Sequence, residues 1–600
     1  MFTDRSKTAK SVLLCLFLLF AANVVTNYRF FYRFFYRGPE LTYEGSACRI
    51  DEHYWQVEDI GQNAGVIELT YHEQPYYLSV SYTNDEFKNY GHFNPAYETD
   101  RTQRDYMFIY SAISGPVNDL LIFAGNGSLD KIILNPRVPW QLNGTKTLAY
   151  WLCAAALIYI FSDRRPLGAG KSQMVKSALL AVLLFAMSWN MAKDYSDPEG
   201  MDDLYCRYYT DALIQHRLDL DYPVPAEMKS ADPYDTSDRD YDVLWDATYY
   251  EGKYYSYFGI LPAAAVLAPY KMMTGNYLSG MHGTLLYLAG CFAAGLLLLK
   301  ELVQKYMKNT PYNLFALSYL YIIFGSKLVW SAHRPLFYEM LACAAWFHAV
   351  LGLYLVLFSK NRVRTVIGCT ALALTALCRP TFLLASVFLI PYVLRRIREK
   401  DFGIADFLCM FIPYAVIGLI TMYLNYVRFG SPTEFGLSYQ LTANSMLKSR
   451  FSFLKALVGT FMYMFEGFTV RLFPLAVSGS EGTFPIVGDF FMENAGGGFI
   501  VTSVLGILIP FLLCYVRNRE LKKGLYICIA LAVFLLLISN GVGALVGRYM
   551  VDFSWLLYFV ITAEFLCLIQ EEPGTAAVKI FACAASVSVV LNYLLALSNI

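Results

Sequence analysis

Charge is scarce in this chain. Of its 600 residues only 16% are Asp, Glu, Lys or Arg, with 48 basic residues balancing 48 acidic ones, whereas soluble domains carry about a quarter. A soluble chain of this length would form several domains and would need more charge on their surfaces. Signatures of several chemistries are missing too. There is no Walker loop, no dinucleotide fingerprint and no nucleophile elbow. No CxxC pair or Cys/His cluster has zinc-site spacing. Thirteen cysteines are present, but most sit inside apolar runs, where they read as small core or lipid-facing side chains. Only Cys48 and Cys206 lie in long polar stretches; a disulfide between them would need an oxidising compartment.

What fills the chain instead is apolar: 56% hydrophobic and 16% aromatic residues. Runs such as GTLLYLAGCFAAGLLLL and LLYFVITAEFLCLI are long enough to approach the roughly 30 Å of hydrocarbon in a bilayer. The sequence therefore predicts an α-helical polytopic membrane protein, multi-pass in a cell membrane.

The first run, Ser11 to about Val25, follows Arg5, Lys7 and Lys10. Ala21 and Ala22 close it as in a cleaved signal peptide. The following NYRFFYRFFYR reads as an interfacial anchor, so residues 1–27 are expected to be an uncleaved transmembrane helix. From there to residue 146 the character changes. GVIELTY, YYLSVSY, YMFIYSAI, DLLIFAG and DKIILN are short alternating runs, which predicts an inserted β-sandwich over residues 28–146. Arg164, Arg165, Lys171 and Lys176 follow the next helix and mark a cytoplasmic loop, which makes the β domain extracytoplasmic.

The same rule threads the rest, 147–600, as a multi-span domain with outer loops over 193–280 and 427–497. FGILPAAAVLAPYKMMTG, broken by Pro262 and Pro269, reads as a re-entrant or surface helix pair. Counting it as a span would place Lys300, Lys305 and Lys308 outside. With the first helix, spans are expected at about 148–161, 178–191, 284–299, 312–330, 338–358, 364–378, 380–396, 405–426, 498–516, 524–539, 553–570 and 579–598, about 13 in all. The N-terminus then lies inside and the C-terminus outside.

Candidate site residues are the charges this threading leaves at the outer face, since charge near hydrocarbon is costly and commonly functional. Asp202 and Asp203, in PEGMDDLYCRYYTDALIQHRLDLDYP, are either solvated loop carboxylates or a general base or cation ligand at the lipid–water boundary. A later block, DPYDTSDRDYDVLWDATYYEGKYYSYFG, interleaves Asp235, Arg239, Asp242 and Asp246 with tyrosines that include Tyr249 and Tyr255. Aromatic faces stack on sugar rings while carboxylates accept hydroxyl protons, so saccharide contact is expected there. The competing reading is an amphipathic surface helix whose tyrosines sit among headgroups. Arg379 falls in a short turn between apolar runs. Arg428 and Arg548 also fall at outer helix ends. Each arginine either grips a phosphate bidentately or snorkels to the interface.

The order PEGMDD, DALIQHRLDL, YYEGKYYSYFGILP resembles the GT-C superfamily of polyprenyl-phosphate-sugar-dependent glycosyltransferases, with a core of the protein-mannosyltransferase and aminoarabinose-transferase type. In those enzymes an acidic pair follows the first core helix, and a long outer loop leads to a Pro-containing segment. SAHRPLFYEML puts Glu339 where the family starts a helix with an acidic residue, usually Asp, with His333 and Arg334 just before it. Arg548-Tyr549 is similar to the end of the core in bacterial members. The resemblance implies an inverting hexosyl- or pentosyltransferase of the cell envelope. Its catalytic residues would be Asp203, Asp202 and Glu339, with Arg379, Arg548, Arg334 and His333 at the donor phosphate. Expected partners are a polyprenyl-phosphate-linked sugar, membrane lipids and a saccharide, lipid or protein acceptor, with no nucleic acid. A divalent cation is a candidate cofactor, with Asp203 and Glu339 as its candidate ligands.

A glycolipid or polysaccharide transporter or flippase is the alternative. It predicts ionisable groups deep in spans and paired helix breaks in two related halves; the sequence shows no clear internal repeat, and no acidic residue is expected in mid-span.

Overall fold

The computed structural model describes residues 15–24, 27, 30, 38–64, 67–73, 77–84, 91–97, 105–107, 116–125, 128–137, 140, 144–168, 170–193, 204–229, 232–234, 243–442, 451–472, 475–479, 491–492, 497–541, 544–572 and 574–597. The chain divides into two compact units, one over residues 1–158 with 470–476 and 600, the other over the remainder.

In the first unit, eight strands form two antiparallel four-stranded sheets. They are β1 (Leu41–Glu44), β2 (Tyr54–Val57), β3 (Ile67–Glu73), β4 (Tyr77–Asn84), β5 (Gly91–Tyr97), β6 (Asp105–Met107), β7 (Val117–Gly125) and β8 (Ser128–Leu134). The strand orders are β1-β8-β3-β6 and β2-β7-β4-β5. Alternation sets the buried face: Leu120, Ile122 and Ala124 of β7 are buried, as are Ile132 and Leu134 of β8. Ile67 pairs with Leu134, and Trp55 and Val80 both pair with Ile122. The buried faces of both sheets share one core. β1, β2 and β5 fall outside the runs that the sequence singled out.

The second unit is helical. In chain order the main helices are α1 (Gly144–Phe161, which straddles the unit boundary), α2 (Lys171–Ala192), α3 (Gly280–Tyr306), α4 (Tyr312–Gly325), α5 (Phe337–Leu357), α6 (Arg362–Leu374), α7 (Leu389–Arg398), α8 (Ile404–Phe429), α9 (Phe453–Phe465), α10 (Arg519–Asn540), α11 (Met550–Glu571) and α12 (Thr575–Leu597). A tight turn of helix, Pro380–Phe388, leads directly into α7. Among the described residues nine helices are long and apolar enough to cross a membrane, and four more apolar helices are shorter: Cys15–Val24, Tyr312–Gly325, Phe453–Phe465 and Val504–Tyr515. The chain is a multi-pass membrane protein. The expected 364–378 span is short, with α6 ending at Leu374. α9 lies inside the stretch expected to be an outer loop.

The Pro-broken segment forms two short helices, Ala263–Leu267 and Ala268–Thr274, ending at Gly275 with φ 76°. Neither is long enough to span. The stretch before it is not a surface helix but a small sheet of β9 (Asp219–Leu220), β10 (Thr248–Tyr250) and β11 (Lys253–Tyr255), in the order β10-β11-β9. Glu251 and Gly252 close the β10–β11 hairpin with φ of 47° and 80°, as a two-residue turn between right-twisted strands requires.

The basic loops gather at one end of this helical unit. Leu167 N–H bonds Thr310 O at 2.8 Å, Arg395 meets Glu520 at 3.0 Å and Arg362 meets Asp406 at 3.3 Å. Buried Asp163 holds Arg165 at 2.6 Å and Lys176 at 3.1 Å. Close helix approach is made possible by small residues: a Cβ on Gly352 of α5 would lie 2.7 Å from the Gly368 carbonyl of α6. One expectation fails here. Glu564 lies within α11 and is fully buried, so an acidic residue does occur inside a span.

Candidate functional site

Opposite the basic loops, several chain segments bring charged and aromatic side chains together. The first is the turn after α6. Pro380 cannot continue a helix from Arg379, and Arg379 takes an extended conformation with φ −146°. Gly259 braces this turn, because a Cβ there would collide with the carbonyls of Leu377 and Cys378. The Arg379 Nε sits 3.0 Å from Asp552 Oδ1, and its guanidinium lies 4.9 Å from the Tyr549 ring centre. Thr381 Oγ1 donates to the other Asp552 oxygen at 2.9 Å. Asp552 occupies the first turn of α11, where a carboxylate also meets the helix dipole favourably.

The second group surrounds Asp246. Its backbone is left-handed, with φ 58°, a conformation that Asp tolerates better than most residues. Its N–H donates to Leu441 O at 2.8 Å. Tyr338 Oη donates to Asp246 Oδ2 at 2.9 Å, and Gln440 Nε2 to Oδ1 at 3.2 Å. The Arg548 guanidinium stacks 4.8 Å over the Tyr338 ring and 5.7 Å from that of Tyr549. Tyr549 and Tyr338 thus link the two arginines to Asp246 through aromatic faces, a geometry worth about 0.5–2 kcal/mol per contact.

An aromatic wall holds Tyr338 in place. Phe258 meets it edge-on at 4.7 Å, and Tyr205 stacks on the neighbouring Phe337 at 5.8 Å. Tyr205 Oη donates to Trp245 O at 2.7 Å, tethering the segment that carries Asp246. Burial raises the Tyr205 phenol well above its ordinary pKa, and it pushes Tyr257 up to about 12. Both phenols are neutral donors at neutral pH.

The sequence candidates do not all come together. Arg379, Arg548 and Asp246 belong to one constellation. Glu339 follows Tyr338 in the first turn of α5 and is buried, as is His333, whose ring lies 6.4 Å from that of Trp330; Arg334 is partly buried between them in sequence. Asp202, Asp203, Asp235, Arg239 and Asp242 lie outside the described residues. Tyr249 and Tyr255 are buried packing residues: Tyr249 packs on Tyr254 at 5.5 Å and Tyr255 on Phe429 at 5.5 Å. Tyr249 thus packs within the small sheet, and Tyr255 packs between that sheet and α8. Arg428 donates to Ser256 O at 3.1 Å and Asn425 Oδ1 at 2.7 Å, so it ties α8 to the Asp246 segment. Cys48 and Cys206 are both free thiols.

Asp552, Tyr338 and Gln440 were not singled out from sequence. Asp552 had a signal: it stands four residues after Arg548, at the mouth of an apolar run, where an unpaired charge would be costly. Among the described residues no group of three His, Cys, Asp or Glu side chains is placed to hold a metal ion. The arrangement places two guanidinium groups and a half-buried carboxylate together at one end of the helical unit.

No family model matches the sequence, and no curated protein matches it. Two solved structures are similar in part. A crystal structure of ArnT from Cupriavidus metallidurans bound to undecaprenyl phosphate aligns with TM-score 0.40 and 10% identity, over 72% of this chain and 77% of that one. The cryo-EM structure of the arabinosyltransferase EmbB from Mycobacterium smegmatis aligns with TM-score 0.36 and 11% identity, over 88% of this chain but 50% of that one.

Proposed function

We propose that this multi-pass membrane protein is a glycosyltransferase of the GT-C type, which moves a sugar from a polyprenyl-phosphate-linked donor to an extracytoplasmic acceptor. The observation that carries the reading is the convergence of Arg379, Arg548 and Asp246, joined through Tyr338 and Tyr549, at the helix ends opposite the basic loops. Positive charge in loops favours the cytoplasm, which supports an outer-face site.

In this reading Arg548 and Arg379 stabilise the departing lipid phosphate, with charge developing where their fixed guanidinium groups already stand. Asp246 accepts a sugar hydroxyl while Tyr338 and Gln440 hold its carboxylate still. Asp203, or Asp202, takes the acceptor hydroxyl proton. The acceptor oxygen then forms its bond to the anomeric carbon as the bond from that carbon to the phosphate oxygen breaks, so polyprenyl phosphate leaves with inversion. Glu339, His333 and Arg334 flank the donor. Positioned base catalysis supplies roughly 10²–10⁴-fold, and the arginines must supply much of the remainder. Asp203 and Glu339 are the candidate ligands of a divalent cation.

The test is transfer of labelled sugar from a panel of polyprenyl-phosphate donors, with wild type beside Asp203→Asn and Arg548→Ala, before and after chelation. Transfer by wild type that both variants lose supports the assignment. Undiminished transfer in either variant removes that residue from the mechanism, and equal rates after chelation remove the cation. The buried Glu564 favours a second reading, the transporter. Lipid translocation in vesicles, with no transfer from any donor, would select it.

A further inference from the structure

A cleft of about 550 Å³ opens on the other half of the helical unit, between α3, α5, α7, α10 and α11. That volume is within the usual ligand-pocket range of about 300–1,000 Å³. Its floor is apolar, with Leu298, Leu299, Trp346, Val350 and Trp555 among the lining side chains. It is open along its side: Ile390, Leu394 and Tyr526 line it and are 55%, 48% and 52% exposed. Its mouth carries Lys305, Arg395, Arg398 and Lys523 against Glu520, and Glu399 beside it also pairs with Arg395 at 3.8 Å. Glu520 is already engaged by Arg395 at 3.0 Å and Lys305 at 3.8 Å, and it accepts from Tyr306 Oη at 3.2 Å. Arg398 and Lys523 are exposed and form no ion pair among the described residues.

We propose that this cleft binds an anionic glycerophospholipid, one acyl chain along the Trp346–Trp555 floor and the phosphate between Arg398 and Lys523. Charge complementarity selects the headgroup, because four cations face two carboxylates, Glu520 and Glu399, and these engage Arg395 and Lys305 while Arg398 and Lys523 pair with neither. Length separates this lipid from the donor of the proposed reaction. Tyr338, at the candidate site, and Leu357, at the cleft mouth, are 19 residues apart on α5, about 28 Å along a helix axis. That is close to the full hydrocarbon thickness of about 30 Å, so one phosphate cannot serve both ends. The cleft lies in the leaflet that the basic loops face.

The experiment uses the full chain, purified in detergent and examined by native mass spectrometry with phosphatidylglycerol, with phosphatidylcholine of the same acyl chains, and with a polyprenyl phosphate. Preferential retention of phosphatidylglycerol is expected. Arg398→Gln/Lys523→Gln is expected to weaken it by about tenfold or more. Both side chains are exposed, so the variant should fold, and an unchanged melting curve confirms that it has. Equal retention of the two phospholipids, or retention that the double variant leaves unchanged, overturns the proposal. Displacement of phosphatidylglycerol by polyprenyl phosphate would also overturn it and give the cleft to the donor lipid. None of these outcomes depends on sugar transfer, so this proposal and the transferase reading fail separately.

Discussion

Arg379 and Asp552 form an ion pair at 3.0 Å in which the carboxylate side chain is 1% exposed and the guanidinium 18%. The arginine in a turn and the acid at a helix start therefore act as one unit. Asp552 fixes the direction of the guanidinium, and Thr381 takes the oxygen that Arg379 leaves. Removing one partner strands the other.

Arg379→Ala is accordingly expected to destabilise the protein by about 3–5 kcal/mol, the usual result of leaving a buried charge alone. Arg379→Lys keeps the charge and should cost much less. It loses the planar fork that suits phosphate, so sugar transfer should fall even though the protein folds. Melting curves in detergent beside transfer rates separate the two effects. Equal transfer by Arg379→Lys and wild type would make Arg379 a structural residue only.

Tyr338→Phe tests the link between Asp246 and Arg548. The ring remains under the guanidinium, while the 2.9 Å bond to Asp246 is lost. A hydrogen bond to a charged group is worth about 1.5–3 kcal/mol net, which corresponds to a rate loss of roughly 13- to 160-fold if it acts in the transition state. A fall in kcat with an unchanged melting temperature is the expected result. A fall in melting temperature alone would confine Tyr338 to packing.

How much of this was readable beforehand depended on whether a residue's role was local. Arg379 and Arg548 stood out because a cation beside an apolar run has few innocent explanations. The alternation of β7 and β8 also showed directly, since period two survives in seven to nine residues. Asp552 was passed over because it falls within the apolar MVDFSWLLYF, and only its contact with a residue 173 positions earlier explains it. Lys327 was absorbed into an expected span for the same reason; it is buried and donates to Asn592 Oδ1 at 2.9 Å, on a helix far along the chain. The small sheet was invisible because β9 holds two residues and pairs with a strand more than thirty positions on. Tyr249 and Tyr255, read from sequence beside the acidic block, are buried in and around that sheet.

The loop between α1 and α2 predicts a pH dependence. The Arg165 hydrogen bond holds the Asp163 carboxyl well below the usual carboxylate range, with Lys176 adding to the effect and burial opposing it. Its folded pKa lies below the unfolded value of about 4. Between those two values the unfolded chain binds more protons, so stability rises with pH. The contribution is complete above the unfolded pKa and is lost as pH falls through the folded one. Melting temperatures of wild type should thus drop below about pH 5, and Asp163→Asn should remove that part of the slope while lowering stability at pH 7. Parallel curves for the two proteins from pH 7 to pH 3 would contradict the assignment.

Glu564 supplies the sharpest separation between the transferase and the transporter. It is fully buried on α11, and neither carboxylate oxygen has a hydrogen-bond partner among the described residues. It stands twelve residues beyond Asp552, about 18 Å along the axis, too far to touch the chemistry proposed at Arg379 and Arg548. An unpartnered polar group at such depth costs stability. If it has no task, Glu564→Gln should change stability by no more than about 1 kcal/mol, and Glu564→Leu should be neutral or stabilising, because replacing a buried ionisable group with an apolar one of similar volume often is. Sugar transfer should persist in both. A transporter, in contrast, needs an ionisable group along its path, so both variants would halt lipid translocation while leaving the melting curve intact. Measuring transfer, translocation and melting temperature on the same two variants therefore assigns Glu564 either to a tolerated burial or to a transport route.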